Sequence, residues 1–226
     1  SMLRLADLLG LFYETLDGAT ITHGRALWEH PNNFYEREQL LSKVEANDVL
    51  SGLLFNAKRK PVFTSVHAQN HLITFSEIMA MYLLSWSEIP WTLIEYDASV
   101  IGQKHRPRFE QEIETLADFR ADLPSIRRSL AHIPVYMIFD DHDVTDDWNL
   151  TVGWEQEVYQ HPRSRLMIGN ALMAYWLCQG WANQPDKFND VYDKAQSVFT
   201  PDGINQHDDF IDTLFDFEHW HYNLQT

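Results

Sequence analysis

The sequence has little cysteine and no long apolar run. Its single cysteine, Cys178, excludes an internal disulfide and a thiolate metal cage, and its apolar neighbours favour a buried thiol. The longest clean apolar run, Ala171 to Cys178, is far shorter than the roughly 20 residues of a membrane-spanning helix. Charged residues interrupt the only apolar stretch near the start, so we expect no signal peptide in this segment and assign no compartment.

Positive charge is also scarce, with 17 lysines and arginines against 33 aspartates and glutamates and a net charge of −16. This balance disfavours nucleic-acid binding, which needs a basic face, and favours cations or basic partners. Apolar residues make up 45% of the chain and aromatic residues 13%, which is enough for a sizeable core in 226 residues. Because repeats and flexible linkers are missing, we expect residues 1–226 to form a single, mostly helical domain or a fragment of one.

Helical periodicity dominates the chain. The clearest helix spans Phe75 to Trp86, where apolar residues recur every three or four positions after a capping box formed by Thr74 and Glu77. A long helix, apolar around much of its circumference, is predicted from Arg163 to about Ala182. Further helices are predicted at about 5–16, 36–56, 108–121, 124–132, 188–199 and 210–215. The helical share is then about 55 to 60%, well above the usual third.

Two segments predict short strands. Val135 to Phe139 is rich in β-branched and aromatic residues and follows Pro134, where a proline costs no ladder hydrogen bond. His219 to Leu224 alternates apolar and polar residues. The predicted fold class is therefore mainly α with a few short β-strands, an α+β arrangement.

An acidic motif follows the first predicted strand, and residues 135–149 form the stretch with the strongest chemical signal. Neighbouring carboxylates repel by roughly 1 kcal/mol per close pair in water, so either some stay protonated or a cation neutralises them. Hard divalent cations prefer such oxygen ligands, and His142 suits a transition metal or acid catalysis. The alternative is a cluster that only caps a helix and solvates a loop. Five aspartates fall within eight positions: Asp140, Asp141, Asp143, Asp146 and Asp147.

The segment Ile138 to Asn149 resembles the Asp-Asp-His-Asp/Glu segment of the alkaline phosphatase D (PhoD-like) metallophosphatases. That segment takes the place of the G-N-H-D/E block of the wider calcineurin-like metallophosphoesterases. Lys60 to Trp86 and Arg163 to Trp181 also look similar to the family. The resemblance implies that the chain is the helical portion of a metallophosphatase-like α/β fold.

The resemblance also implies a role for each residue of the motif. Asp140 takes the place of the family's glycine, and Asp141 replaces the asparagine that binds a metal ion. His142 takes the place of the catalytic histidine that contacts the phosphate and assists the leaving group, and Asp143 replaces the acidic residue that orients it. We assign Asp141 and Asp140 to the metal site. The supporting residues around them are Asp143, Asp146, Asp147 and, most weakly, Asn149.

The upstream motifs of such enzymes are missing, because neither a D-x-H nor a G-D-x-x-D block precedes Asp140. We therefore expect an internal piece of a longer enzyme that hydrolyses phosphate mono- or diesters and is inactive by itself. The implied cofactors are divalent metal ions (Mn, Ca, Mg, Zn or Fe), with the second metal site incomplete. The segment His67 to His71, with two histidines four apart, is read as a loop, and a position near this site is the less favoured alternative.

A second hypothesis comes from a different class of protein. The chain would be a non-catalytic helical interaction module that packs against a partner domain or protein and self-associates through exposed apolar surface. A single-site calcium module is disfavoured, since the acidic motif lacks the spaced aspartates and glycine of an EF-hand loop.

Overall fold

The computed structural model describes residues 5, 34–41, 63, 68–146, 148–149, 151–199 and 207–221. Of these residues 74% are helical and none lies in a strand. The mainly helical prediction is therefore confirmed, whereas the strands predicted within these ranges are absent. Several predictions fall outside the described residues. They concern His67, Asp147, residues 222–226 and the parts of the predicted helices at 5–16 and 36–56 beyond residues 5 and 36–41.

We number the described α-helices in chain order. They are α1 (Phe75–Trp86), α2 (Arg106–Leu130), α3 (Asp141–Val144), α4 (Val152–Gln160), α5 (Pro162–Tyr175), α6 (Trp181–Asn183), α7 (Asn189–Val198) and α8 (His207–Leu214). One π-helical turn, Trp176–Gly180, joins α5 to α6. Short 3-10 helices are Arg37–Gln39, Ala68–Asn70, Pro90–Leu93, Ala98–Val100, Gln103–His105, Pro185–Phe188 and Phe217–Trp220.

Helix α1 begins where the capping box predicts it. The Glu77 N–H donates to Thr74 Oγ1 at 3.3 Å, and the Thr74 N–H donates to Glu77 Oε2 at 3.2 Å. The same glutamate forms an ion pair with Arg37 at 2.6 Å, and both side chains are buried. Glu77 therefore caps its own helix and ties the segment around Arg37 to the core.

Helix α5 lies at the centre of the larger core, as its apolar composition predicts. Its residues from Met167 to Tyr175 are buried, and it packs on α1, α4 and α8. A Cβ atom placed on Gly169 would lie 2.5 Å from Ile211 Cδ1, so the lack of a side chain sets the close approach of α5 and α8. A smaller cluster holds Leu84, Trp91 and Leu123.

Helix α2 is one helix of 25 residues, and the prediction of two helices broken before Pro124 was wrong. Proline lacks an N–H and usually interrupts a helix, yet here it lies inside the helix. Leu123 is fully buried in the smaller core cluster and is the one buried residue of α2. This burial holds the helix against the protein at the point where the proline weakens it.

The prediction of a strand from Val135 to Phe139 was wrong. The backbone there forms neither a strand nor a helix nor a turn. A strand needs a neighbouring strand, and the described part of the chain offers none. Instead, the side-chain amide of Asn183 pairs with Met137: the Met137 N–H donates to Asn183 Oδ1 at 3.3 Å, and Asn183 Nδ2 donates to the Met137 carbonyl at 2.5 Å.

The strand predicted from His219 was also wrong for the described residues, because Phe217–Trp220 forms a 3-10 helix. Asp216 precedes it, and its Oδ1 accepts a hydrogen bond from the Glu218 N–H at 3.2 Å. This cap favours a helical turn over an extended backbone. Among the described helices, none has the length and apolar character needed to cross a bilayer.

Candidate functional site

The acidic motif is fixed to the core on both sides by aromatic contacts. Phe139, just before the motif, stacks on Tyr175 of α5 with ring centroids 4.8 Å apart and an interplanar angle of 11°. Trp148, after the motif, packs against Phe139 at 5.5 Å. The described part of the motif is therefore anchored to the central helix α5, with Asp140 and Asp143 exposed and Asp141 and Asp146 partly buried.

Helix α3 is the short turn that carries the motif. Asp140 is its N-cap residue, and the Asp140 N–H donates to Asp143 Oδ2 at 2.9 Å. The Tyr175 hydroxyl donates to the Asp143 carbonyl at 2.6 Å, and Val144 is buried beneath the turn. The helix-capping alternative is thus confirmed for Asp140 and Asp143, and a role of either residue in a site stays a prediction.

Asp140 and Asp141 form a hydrogen-bonded carboxyl pair. The hydrogen bond to Asp140 raises the pKa of Asp141, and the same bond lowers the pKa of Asp140. The pair therefore retains a proton at a higher pH than one isolated carboxyl would. A bound cation could take the place of that proton, which is the arrangement predicted from the repulsion between neighbouring carboxylates.

His142 is exposed and held by a carboxylate one helical turn further on. Its Nδ1 lies 2.6 Å from Asp146 Oδ1, and its Nε2 lies 4.0 Å from Asp141 Oδ1. The His142 side chain is 69% exposed, whereas that of Asp146 is only 17% exposed. The negative charges of Asp141 and then Asp146 raise the pKa of His142 above its ordinary value of 6.5. The carboxylate in contact with the ring is therefore Asp146, while Asp143 contacts the backbone of Asp140.

His71 is a second histidine whose pKa is affected by the charge of Asp146. Its Nδ1 is 2.6 Å from the Leu72 carbonyl, so this nitrogen carries the hydrogen and Nε2 keeps its lone pair. Burial is the main cause that lowers the pKa of His71, and the charge of Asp146 acts on the ring in the opposite direction. The charge of Asp146 thus acts on two histidines, the exposed His142 in direct contact with it and the largely buried His71.

The turn that follows the motif is closed by side-chain hydrogen bonds. Asn149 has a positive φ of 57°, a conformation that asparagine tolerates better than most residues. The Tyr159 hydroxyl donates to Asn149 Oδ1 at 2.6 Å, and Trp148 Nε1 donates to the Tyr159 hydroxyl at 3.1 Å. The Asn149 amide oxygen therefore holds the turn in place.

Metal coordination is only partly provided by these residues. Within the ranges that the structure describes, no group of three or more His, Cys, Asp or Glu side chains is placed to hold a metal ion. The carboxyl pair of Asp140 and Asp141 offers oxygen donors that suit a hard divalent cation. These donors fit part of a coordination shell, and the remainder would have to come from other groups.

Sequence reasoning missed the residues that support the motif from a distance. Tyr175 lies in a buried apolar helix, and only its hydroxyl sets it apart from a simple core residue. Tyr159 and Asn183 lie on other helices, and no spacing in the sequence relates them to the motif. One local signal was available, because the four-residue spacing of His142 and Asp146 places two side chains on one face of a turn.

No family model, no curated protein and no solved structure matches this chain.

Proposed function

We propose that residues 140–146, called the acidic turn below, are part of a site that hydrolyses phosphate esters and is of the PhoD-like metallophosphatase kind. By itself, this chain would carry an incomplete and inactive form of that site. The observation that carries the proposal is the exposed His142 held at 2.6 Å by Asp146 beside the carboxyl pair. This arrangement supports the role that the resemblance implies for His142. It also supports a positioning role for Asp146.

His142 has the properties of a general acid for a phosphate ester. Its Nδ1 faces Asp146, which leaves Nε2 directed away from that contact, beyond hydrogen-bond distance of Asp141. A protonated ring in this position could donate a hydrogen bond from Nε2 to a phosphoryl oxygen and then pass its proton to the departing alkoxide. The raised pKa keeps the ring protonated to a higher pH than an ordinary histidine.

The metal ion would supply charge neutralisation and an activated water molecule. Asp141 would bind it, with Asp140 beside it, because their carboxyl groups offer the oxygen donors that hard divalent cations prefer.

Calcium titration by calorimetry tests the metal part of the proposal. We expect Ca²⁺ to bind the chain, and Asp141→Asn to weaken that binding by at least about tenfold, because one of two charged oxygen donors is lost. Asp208→Asn is the matched control. Asp208 and Asp209 are also adjacent carboxylates at the start of a helix, but they pair with Arg165 and Lys194. An equal loss in both variants would contradict a specific site.

Inorganic phosphate then tests the role of His142. In the presence of Ca²⁺, phosphate should shift the NMR signals of the His142 ring, and Asp141→Asn should abolish the shift. The isolated chain should hydrolyse neither p-nitrophenyl phosphate nor bis(p-nitrophenyl) phosphate. If phosphate does not shift the NMR signals of the His142 ring while Ca²⁺ is bound, the phosphoesterase proposal is contradicted and only a cation site remains.

A second candidate function is supported by the surface of helix α2. Large apolar side chains on its second half and just beyond it are exposed, namely Phe119, Ile126, Leu130 and Ile133. Exposed apolar surface of this kind marks contacts with another protein or with a second copy. It favours the interaction module as the alternative to the phosphoesterase fragment.

A further inference from the structure

On one edge of the segment 134–139, the side chain of Asn183 makes the hydrogen bonds that a neighbouring strand would make. The amide group of Asn183 both accepts from the Met137 N–H and donates to the Met137 carbonyl. A neighbouring strand makes the same pair of hydrogen bonds with a residue that faces it. The segment is therefore held extended although no strand in the described ranges lies beside it.

The opposite edge of this segment, called the open edge below, is not paired by any of the described residues. Along an extended chain, successive residues direct their N–H and C=O groups to alternate sides, so those of Tyr136 and Ile138 face away from Asn183. Neither residue makes a backbone hydrogen bond within the described part of the chain. Their side chains are 55% and 69% exposed. The edge thus combines unpaired backbone groups with apolar side chains, which is the surface that strand addition uses.

The segment is ordered before any partner arrives. Phe139 stacks on Tyr175, and the Asp140 N–H is engaged by Asp143, so the backbone is fixed just beyond the open edge. Pro134 has a restricted φ at the other end. A surface that is already in its binding conformation loses little entropy on association.

Charge indicates what kind of chain would bind. Asp140, Asp141 and Asp143 follow the open edge directly, and the whole chain carries a net charge of −16. A second copy would bring the same large negative charge, which opposes association. A segment with lysines or arginines at the end nearest the acidic turn would be attracted.

We propose that the open edge of residues 135–139 binds an extended segment of another protein that is apolar in its middle and basic at its end. The segment adds to the edge as a strand, pairs with the backbone of Tyr136 and Ile138, and places its basic residues beside Asp140, Asp141 and Asp143. This inference does not depend on the acidic turn binding metal or phosphate.

A fluorescent synthetic peptide of alternating valine and threonine with lysines at its ends is the probe, used in the presence of EDTA so that no cation covers the aspartates. We expect fluorescence anisotropy to detect binding. The same peptide with glutamates in place of the lysines should bind at least about tenfold more weakly. N-methylation of the valine nitrogens should reduce binding by a similar factor, because it removes the donors of a strand.

Ile138→Pro removes an N–H from the open edge and should reduce binding at least about tenfold. Val152→Pro is the matched control. Val152 is also 69% exposed, and it occupies the first position of α4, where proline is tolerated. Circular dichroism and the Tm of both variants should match those of the parent chain, so a folding defect would be seen separately.

Three outcomes would overturn the proposal. The first is equal binding of the lysine and glutamate peptides, and the second is unchanged binding by Ile138→Pro. The third is a dimer in sedimentation velocity that Ile138→Pro abolishes, which would make a second copy the occupant. Because the assay contains EDTA, failure of the calcium titration leaves its result unaffected.

Discussion

At the residue scale, the site depends on one short contact between His142 and Asp146. The two residues are four positions apart, and the backbone of α3 and the turn after it place their side chains on one face. Asp146 is largely buried, so its charge cannot move away from the ring. Asp140 and Asp143 instead stabilise the start of α3, which shows that neighbouring aspartates in one motif have different local partners.

The pKa of His142 is the direct test of that contact. We expect a value above 6.5 by NMR titration, and Asp146→Asn should lower it towards the ordinary value, because one of the two principal negative charges is removed. Since the pKa is raised in the folded protein, the contact stabilises the fold fully below pH about 6.5 and loses this effect as the pH rises through the raised pKa.

The control for this measurement is Asp190→Asn. Asp190 contacts His219 at 3.2 Å, so its loss should leave the titration of His142 unchanged. A His142 pKa at or below 6.5 in the parent chain would contradict the contact. If both variants lower the pKa of His142 equally, overall charge and not the contact with Asp146 raises that pKa.

At the element scale, the packing of α8 on α5 depends on a glycine at their contact. Gly169 of α5 faces Ile211 of α8, and Ile211 is fully buried. The absence of a single Cβ atom therefore determines how α8 can lie against the central helix.

Gly169→Ala and Gly153→Ala form a matched pair that measures this contact. Both glycines are helical, so each substitution gains about 1 kcal/mol of helix propensity. Nothing lies within 4 Å of a Cβ placed on Gly153, whereas one on Gly169 overlaps Ile211. We expect Gly169→Ala to be less stable than Gly153→Ala by about 1–3 kcal/mol in urea unfolding. Equal stabilities would mean that α8 moves away at no cost.

At the scale of the whole molecule, a buried ion pair joins segments that are distant in sequence. Arg37 and Glu77 lie 2.6 Å apart, with side chains 6% and 1% exposed, and Arg37 also donates to the His71 carbonyl at 3.0 Å. The pair links the segment 34–41, the turn that holds His71 and the start of α1.

Arg37→Leu should destabilise the protein by about 3–5 kcal/mol, because it leaves the Glu77 carboxylate buried without its cation. Arg127→Leu is the control, since Arg127 pairs with Glu88 at the surface, and its loss should cost less than about 1 kcal/mol. Urea unfolding curves measure both. Similar losses in the two variants would contradict a special role for the buried pair.

Features that depend on neighbours along the chain follow directly from the order of the amino acids. The capping box of Thr74 and Glu77 begins α1, and the apolar surface of α5 makes it the central helix, because side chains three or four residues apart meet on a helix. Asp140 to Asp146 form one cluster for the same reason. The resemblance of this motif to a phosphatase segment, and the roles it implies, remain predictions.

Which distant groups meet these local elements depends on how the helices pack together. Val135 to Phe139 has strand-like composition, but a strand exists only with a neighbour, and here Asn183 supplies the pairing. Pro124 predicts a break, yet burial of Leu123 holds one continuous helix. Tyr175 meets Asp143 because of how α5 packs in the core, and such packing depends on the shape of whole helices, which no local pattern encodes.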